Sequence, residues 1–253
     1  MKSRSPEPIA EIISLWERQQ DAYVAHRAQR FNIMLDAISY THPEVRLVLD
    51  IGGGLGSFSK LILQHFPNAT VLTLDYDPAL LKLVRHNLHD YTRRSKIVEA
   101  NLVDPTWPES LGRAEPEVIV SSTALHWLSS AELVALYEQL AGILPAGGLF
   151  FNADHLSHTT AGAFFHTVSA ADDARQQSVF DSGVPDWADW WDELREIDGF
   201  EHLIAERDRR FAGGTDNQDA TAALHIEALR VAGFTESGTL WQYFDDYVVY
   251  GVR

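Results

Sequence analysis

The chain has 253 residues, no cysteine, and 36 acidic against 20 basic side chains, for a formal charge of −16. Lack of cysteine excludes a disulfide scaffold and thiolate metal sites, and with no apolar segment at the N-terminus it points to a cytoplasmic protein. No run approaches the ~18 apolar residues of a membrane helix, and so negative a chain repels phosphate backbones, which argues against nucleic acid and leaves a small molecule as the expected partner.

Length and even composition fit one domain over residues 1–253, with no internal repeat. Residues 1–6 are polar. From Pro8 to Tyr40, Ile9, Ile12, Ile13, Trp16, Tyr23, Phe31, Met34, Leu35 and Ile38 recur at helical spacing and predict one long or broken helix, a lid over residues 1–40. Leu47 to Ile51 reads as a buried strand, followed by a glycine turn and a helix from Ser57 to Phe66. Thr70 to Leu74 is a second apolar strand ending in Asp75, with Asp77 as N-cap and Pro78 as first residue of a helix running to about Asp90. A third strand, Lys96 to Ala100, leads into Asn101-Leu102-Val103-Asp104-Pro105, and a fourth, Glu117 to Ser121, into Ser122 to Leu128. Ser129 caps a helix to Ile143 with Glu132 closing a capping box, and Leu144 to Gly148 turns into a fifth strand, Leu149 to Asp154. Residues 155–215 exceed a minimal α/β unit and hold Trp187, Trp190 and Trp191; they predict a helical cap over the substrate mouth, although the three indoles can equally be the cap's own core. A helix near Ala220 to Val231 and a hairpin, Thr239 to Phe244 and Tyr247 to Val252, turning at Asp245-Asp246, close the chain.

The glycine turn is the most informative stretch. Read as G-x-G-x-x-G, the third glycine falls on Ser57 or Ser59, so a dinucleotide fingerprint fails. Read as a P-loop, Ser59 replaces the second glycine and Leu61 the hydroxyl, which fails as well. What stands is D-x-G-x-G-x-G, Asp50 to Gly56 with Gly52, Gly54 and Gly56, and nineteen residues beyond Gly56 the strand-end carboxylate of Asp75, able to accept both hydroxyls of a ribose.

Asp50 through Gly56 resembles motif I of the class I S-adenosylmethionine-dependent methyltransferases. The resemblance covers residues 45–154 and 220–253 and implies a Rossmann-like, seven-stranded, mostly parallel α/β sheet with an antiparallel C-terminal hairpin, an N-terminal helix and a cap. It implies S-adenosyl-L-methionine as cofactor and S-adenosyl-L-homocysteine as product. Asp50 suits the ligand's ammonium and sulfonium, Asp75 its ribose and Tyr76 its adenine face. Asn101 is expected to meet the adenine amino group, with Asp104 as competitor, and Leu102 to pack on the ring. Ser121 is expected to offer its carbonyl to the methionine ammonium, and Arg30 resembles the family arginine near the methionine carboxylate. Tyr23, His26 and Arg27 can reach the site from the lid, with Trp127, Trp187 and Trp191 as further substrate-binding candidates.

The segment after the fourth strand resembles that of methyltransferases acting on free metabolites and lacks the N/D/S-P-P-[YF] tetrapeptide of enzymes that methylate DNA bases or glutamine amides. His126 and His155 follow the fourth and fifth strands at the sheet's carboxyl edge and are the candidate bases, with Asp154 placed to orient either. The expected reaction is methyl transfer to oxygen or nitrogen of a small, aromatic metabolite. Alternatives of the same fold are an aminopropyl transferase and a binding protein without turnover; a dehydrogenase ranks below them. A metal on Asp154-His155-x-x-His158 lacks a third placed carboxylate, so none is expected.

Overall fold

The computed structural model describes residues 8–156, 162–212 and 220–253. Four short runs, each apolar enough to be buried on both faces, form adjacent parallel strands: β1 (Leu47–Ile51), β2 (Thr70–Asp75), β4 (Val118–Ser122) and β5 (Leu149–His155). The more polar β3 (Ser95–Glu99) takes the edge beside β2. At the other edge β7 (Asp246–Val252) runs antiparallel to β5, and β6 (Glu236–Tyr243) antiparallel to β7. The order is β3-β2-β1-β4-β5-β7-β6, so the chain reverses direction between β1 and β4, where an open α/β sheet places its ligand crevice.

The helices α3 (Ser57–His65), α4 (Pro78–Asn87), α5 (Ser130–Ile143) and α9 (Ala222–Ala232) are crossovers between these strands. The starts of α4 and α5 obey the expected chemistry. Asp77 accepts from the amides of Ala79 and Leu80, and Ser129 and Glu132 cap each other reciprocally.

The predicted N-terminal helix is two helices, α1 (Pro8–Tyr23) and α2 (Arg27–Thr41). The break falls at His26, whose backbone is left-handed at φ 51°, a conformation that ends a helix. The insertion supplies α6 (Ala163–Gln177), α7 (Trp187–Arg195) and α8 (Glu201–Arg210). His158 lies outside the described residues. Among the described residues no helix is long and apolar enough to cross a membrane.

Two apolar clusters fill the two faces of the sheet. A third contains Ile12 and Trp16 of α1, Leu55 of the glycine turn, Leu80 and Leu83 of α4, and Trp190, Trp191 and Phe200 of the insertion. The first helix and the insertion therefore share one core, seated beside the glycine turn. Removing a side chain buried as fully as Trp190 typically costs ~3–5 kcal/mol.

Candidate active site

The turn after β1 is built from glycines for two different reasons. A Cβ on Gly52 would stand 2.4 Å from that of Ala124, and one on Gly56 would stand 2.7 Å from Val84, so these positions are closed to larger residues by the protein's own packing. At Gly54, φ +53°, an added Cβ would meet only ordinary contacts at 4.0 Å with Leu80 and Trp16. The backbone at Gly54 is thus the part of the turn a ligand can approach.

Asp75 closes on this turn from the end of β2. Its Oδ2 accepts from the amide of Gly54 at 2.8 Å and its Oδ1 from the amides of Tyr76 (2.7 Å) and Asp77 (2.8 Å). Burial raises its carboxyl above the ordinary range, and the three amides pull the other way. Half-buried Tyr76 follows, and half-buried Asn101 and Leu102 lie just beyond the end of β3. Asn101 spends its Oδ1 on the amide of Val103, while its competitor Asp104 is exposed and serves Thr106 in a local turn. The open backbone at Gly54, the adjoining acid and the half-buried amide side chain fit the nucleoside of S-adenosylmethionine.

Asp50 departs from its expected part. It is buried beneath the turn, accepting from Ser59 Oγ at 2.6 Å, and Ser59 in turn meets Thr73 at 2.7 Å. Its carboxyl is pushed up to about 7, chiefly by burial, with Ser59 opposing and the charge of Asp75 adding. Because this value lies above the unfolded one, the protonated form favours folding; the contribution is present at low pH and lost as pH rises through about 7. Asp50→Asn, which keeps the shape without the charge, is expected to melt above the parent at about pH 8, with the gap closing towards about pH 5. Scanning calorimetry across that range checks this, and a gap independent of pH would refute it.

At the carboxyl ends of β4 and β5 the structure brings together His126 and Asp154. His126 Nδ1 lies 2.8 Å from Asp154 Oδ1, and the His126 amide donates to Oδ2 at 3.2 Å. Burial alone would raise the Asp154 carboxyl, but His126, Arg30 and His155 outweigh it and hold the group below the ordinary carboxylate range. An ionised Asp154 accepts the Nδ1 proton, which makes Nε2 the basic nitrogen of neutral His126. Trp127, 45% exposed, stands beside this ring at 5.4 Å. His155 lies on the other side of Asp154, its Nε2 at 3.2 Å from the carbonyl of Tyr23 and its Nδ1 at 3.3 Å from Asp246. Tyr23 also accepts from the amide of Trp187 and packs on Phe180. Ser121 is buried and donates from Oγ to the carbonyl of Ile51, tying β4 to the end of β1; the strand runs one residue further than predicted, into Thr123 with φ 51°.

Four candidates are placed elsewhere. Arg30 is buried and donates to Asp246 Oδ1 at 2.6 Å, beside Asp154, because α2 packs against β6, the neighbour of β7. The cation associated with the turn is Arg27, which holds Glu17 at 2.7 Å while Glu17 meets Ser57 at the start of α3 at 2.5 Å. His26 is exposed and packs on Tyr243 and Trp241 of β6, since the chain break at this residue turns it outward. Trp191 is buried against Trp190 and Arg207 and belongs to the core joining the insertion to α1, while exposed Trp187 packs on both Trp16 and Trp191 at the rim of that core.

Asp246, predicted only as part of a turn, emerges as the partner of both Arg30 and His155; two adjacent aspartates between strands gave no signal of it. With Asp245, His155 and Asp246 could group around a metal ion, but the buried guanidinium of Arg30 already neutralises Asp246.

The strand order and the glycine turn define the fold of class I S-adenosylmethionine-dependent methyltransferases. Residues 48–148 match the model of the methyltransferase domain family. Among curated proteins the chain is 28% identical over 123 residues to a trans-aconitate 2-methyltransferase from Acidovorax sp., covering 47% of this chain and 43% of that one. It is 31% identical over 101 residues to malonyl-[acyl-carrier protein] O-methyltransferase 1 from Ilyobacter polytropus, covering 40% and 35%. The chain thus spans less than half the length of these curated relatives. Human N-acetylserotonin methyltransferase, solved with S-adenosylmethionine, superposes with a TM-score of 0.55 at 14% identity over 99% of this chain and 60% of that one, a likeness of fold.

Proposed function

We propose that the chain transfers a methyl group from S-adenosylmethionine to an oxygen or nitrogen of a small acceptor, oxygen being favoured, held beside His126. The observation that carries this reading is the His126–Asp154 pair at the ends of β4 and β5, next to the crevice where the sheet reverses. The similarity to an enzyme named for O-methylation favours oxygen. Exposed Trp127 and the half-buried ring of Tyr23 provide flat apolar surfaces for an aromatic acceptor.

When bound, S-adenosylmethionine supplies an electrophilic methyl. The chain's own part is to align the acceptor, worth up to ~10⁵–10⁸ M in effective concentration for well-oriented groups. His126 Nε2 takes the acceptor's proton, while Asp154 fixes the ring and stabilises the imidazolium. His155, tied to the Tyr23 carbonyl, closes the side of the site facing the lid.

The test is transfer of a labelled methyl group from S-adenosylmethionine to a panel of phenols, carboxylic acids and amines. Label in an organic product at oxygen or nitrogen is the expected result. Tight S-adenosylhomocysteine binding with no transfer to any member would overturn the reading.

A further inference from the structure

The insertion also reaches the ends of β2 and β3. Arg210, the last residue of α8, places its guanidinium 4.7 Å above the ring of Tyr76, donates to the Tyr76 carbonyl at 2.7 Å and pairs with Glu99, the last residue of β3, at 2.8 Å. Glu206, one turn earlier on α8, holds the same guanidinium through Nε at 2.8 Å. Arg207 pairs with Asp77 at 2.9 Å and covers the ring of Trp191 at 3.9 Å. Phe211 approaches Tyr76 at 5.9 Å, and Lys82 of α4 donates to the carbonyl of Gly199 at the turn before α8.

These contacts are specific in kind. A planar guanidinium with acceptors on three sides and an aromatic ring beneath it is held far more firmly than a surface lysine could be. The partners are also specific in place. Tyr76 and Asp77 directly follow Asp75, and Glu99 stands two residues before Asn101, so α8 is fastened, through one carbonyl and two carboxylates, to residues on either side of the predicted adenosine position. The acceptor end, at His126 and His155, is bordered instead by α6 and α1; Ser169 of α6 bonds Asp245, and Gln176 bonds the carbonyl of Ala22.

We propose that α8, through Arg207 and Arg210, is the outer wall of the adenine nucleoside subsite, so that the nucleoside enters and leaves only when α8 releases Tyr76, Asp77 and Glu99. This rests on S-adenosylmethionine being the cofactor and is independent of what the acceptor is. Arg210 positions Tyr76 for the adenine ring through its carbonyl and its ring face together.

The absence of native cysteine allows a clean test. In Glu99→Cys/Arg210→Cys, a short bis-alkyl halide replaces the ion pair with a covalent bridge, each thiolate displacing one halide. Bridged empty, the variant is expected to exclude tritiated S-adenosylhomocysteine; bridged with the ligand present, it is expected to retain it through filtration, while the unbridged variant exchanges it. Arg210→Gln alone is expected to release S-adenosylhomocysteine about tenfold faster than the parent, by rapid filtration, with its melting temperature little changed. Free exchange of ligand across the bridge would overturn the proposal, as would loss of ligand in both orders of addition. A parent chain that binds no S-adenosylhomocysteine would instead remove the cofactor reading, and this proposal with it.

Discussion

An Asp75→Ala variant is expected to bind S-adenosylhomocysteine ~100-fold or more weakly than the parent and to melt several degrees lower. The affinity follows from losing an ionised acceptor for two ribose hydroxyls, each such bond contributing ~1.5–3 kcal/mol. The loss of stability follows from the structure alone. The Asp75 carboxylate accepts from Gly54, Tyr76 and Asp77, and its removal strands three amides on a half-buried turn. Asp75→Asn keeps one carbonyl oxygen and is expected to fall between parent and alanine on both scales. Calorimetric titration and thermal melting read the two effects separately; parental affinity in the alanine variant would remove Asp75 from the nucleoside site.

The second large effect is expected at His126 and Asp154. His126→Gln is expected to lower turnover by ~10²–10⁴-fold while S-adenosylhomocysteine affinity stays close to that of the parent, the span expected when a positioned base is removed. Asp154→Asn is expected to reach a similar loss, because an amide cannot hold the His126 Nδ1 proton as a carboxylate does, and to reduce stability as well. Asp154 is fully buried beside Arg30, so removing its charge leaves that guanidinium less compensated. The sign with pH is defined: a carboxyl held below its ordinary value contributes stability above about pH 4 and loses it as pH falls through the depressed value. Near neutral pH the Asp154→Asn deficit should therefore be flat. Undiminished turnover in His126→Gln would leave alignment as the whole of the catalysis.

What could be read from the sequence was local. Asp50 to Gly56, the Asp77-Pro78 cap, the Ser129–Glu132 box and the Leu144 to Gly148 turn into β5 each carry their instruction within a few residues, and the corresponding elements form where expected. A break in the N-terminal helix was allowed for, but its position at His26 was not legible, since a histidine with a left-handed backbone carries no local sequence signal. Nor was the partner of Arg30, because the pairing spans 216 residues and depends on how β7 registers against β5. The tryptophans show the limit most clearly. Composition identified three neighbouring indoles with something to cover, but only the fold supplies Trp16 and α4 as what Trp190 and Trp191 pack upon, which seats the insertion beside the glycine turn.

The core shared by the first helix and the insertion has an optical consequence. Of the seven tryptophans, Trp16, Trp187, Trp190 and Trp191 crowd together with ring centres 4.7–5.8 Å apart in the contacts they make. Indoles so close and steeply inclined couple their excited states, so this junction should dominate the chain's near-ultraviolet dichroism and much of its emission. Any event that parts α1 from α7 would be visible in light absorbed by the native polypeptide, with no dye attached.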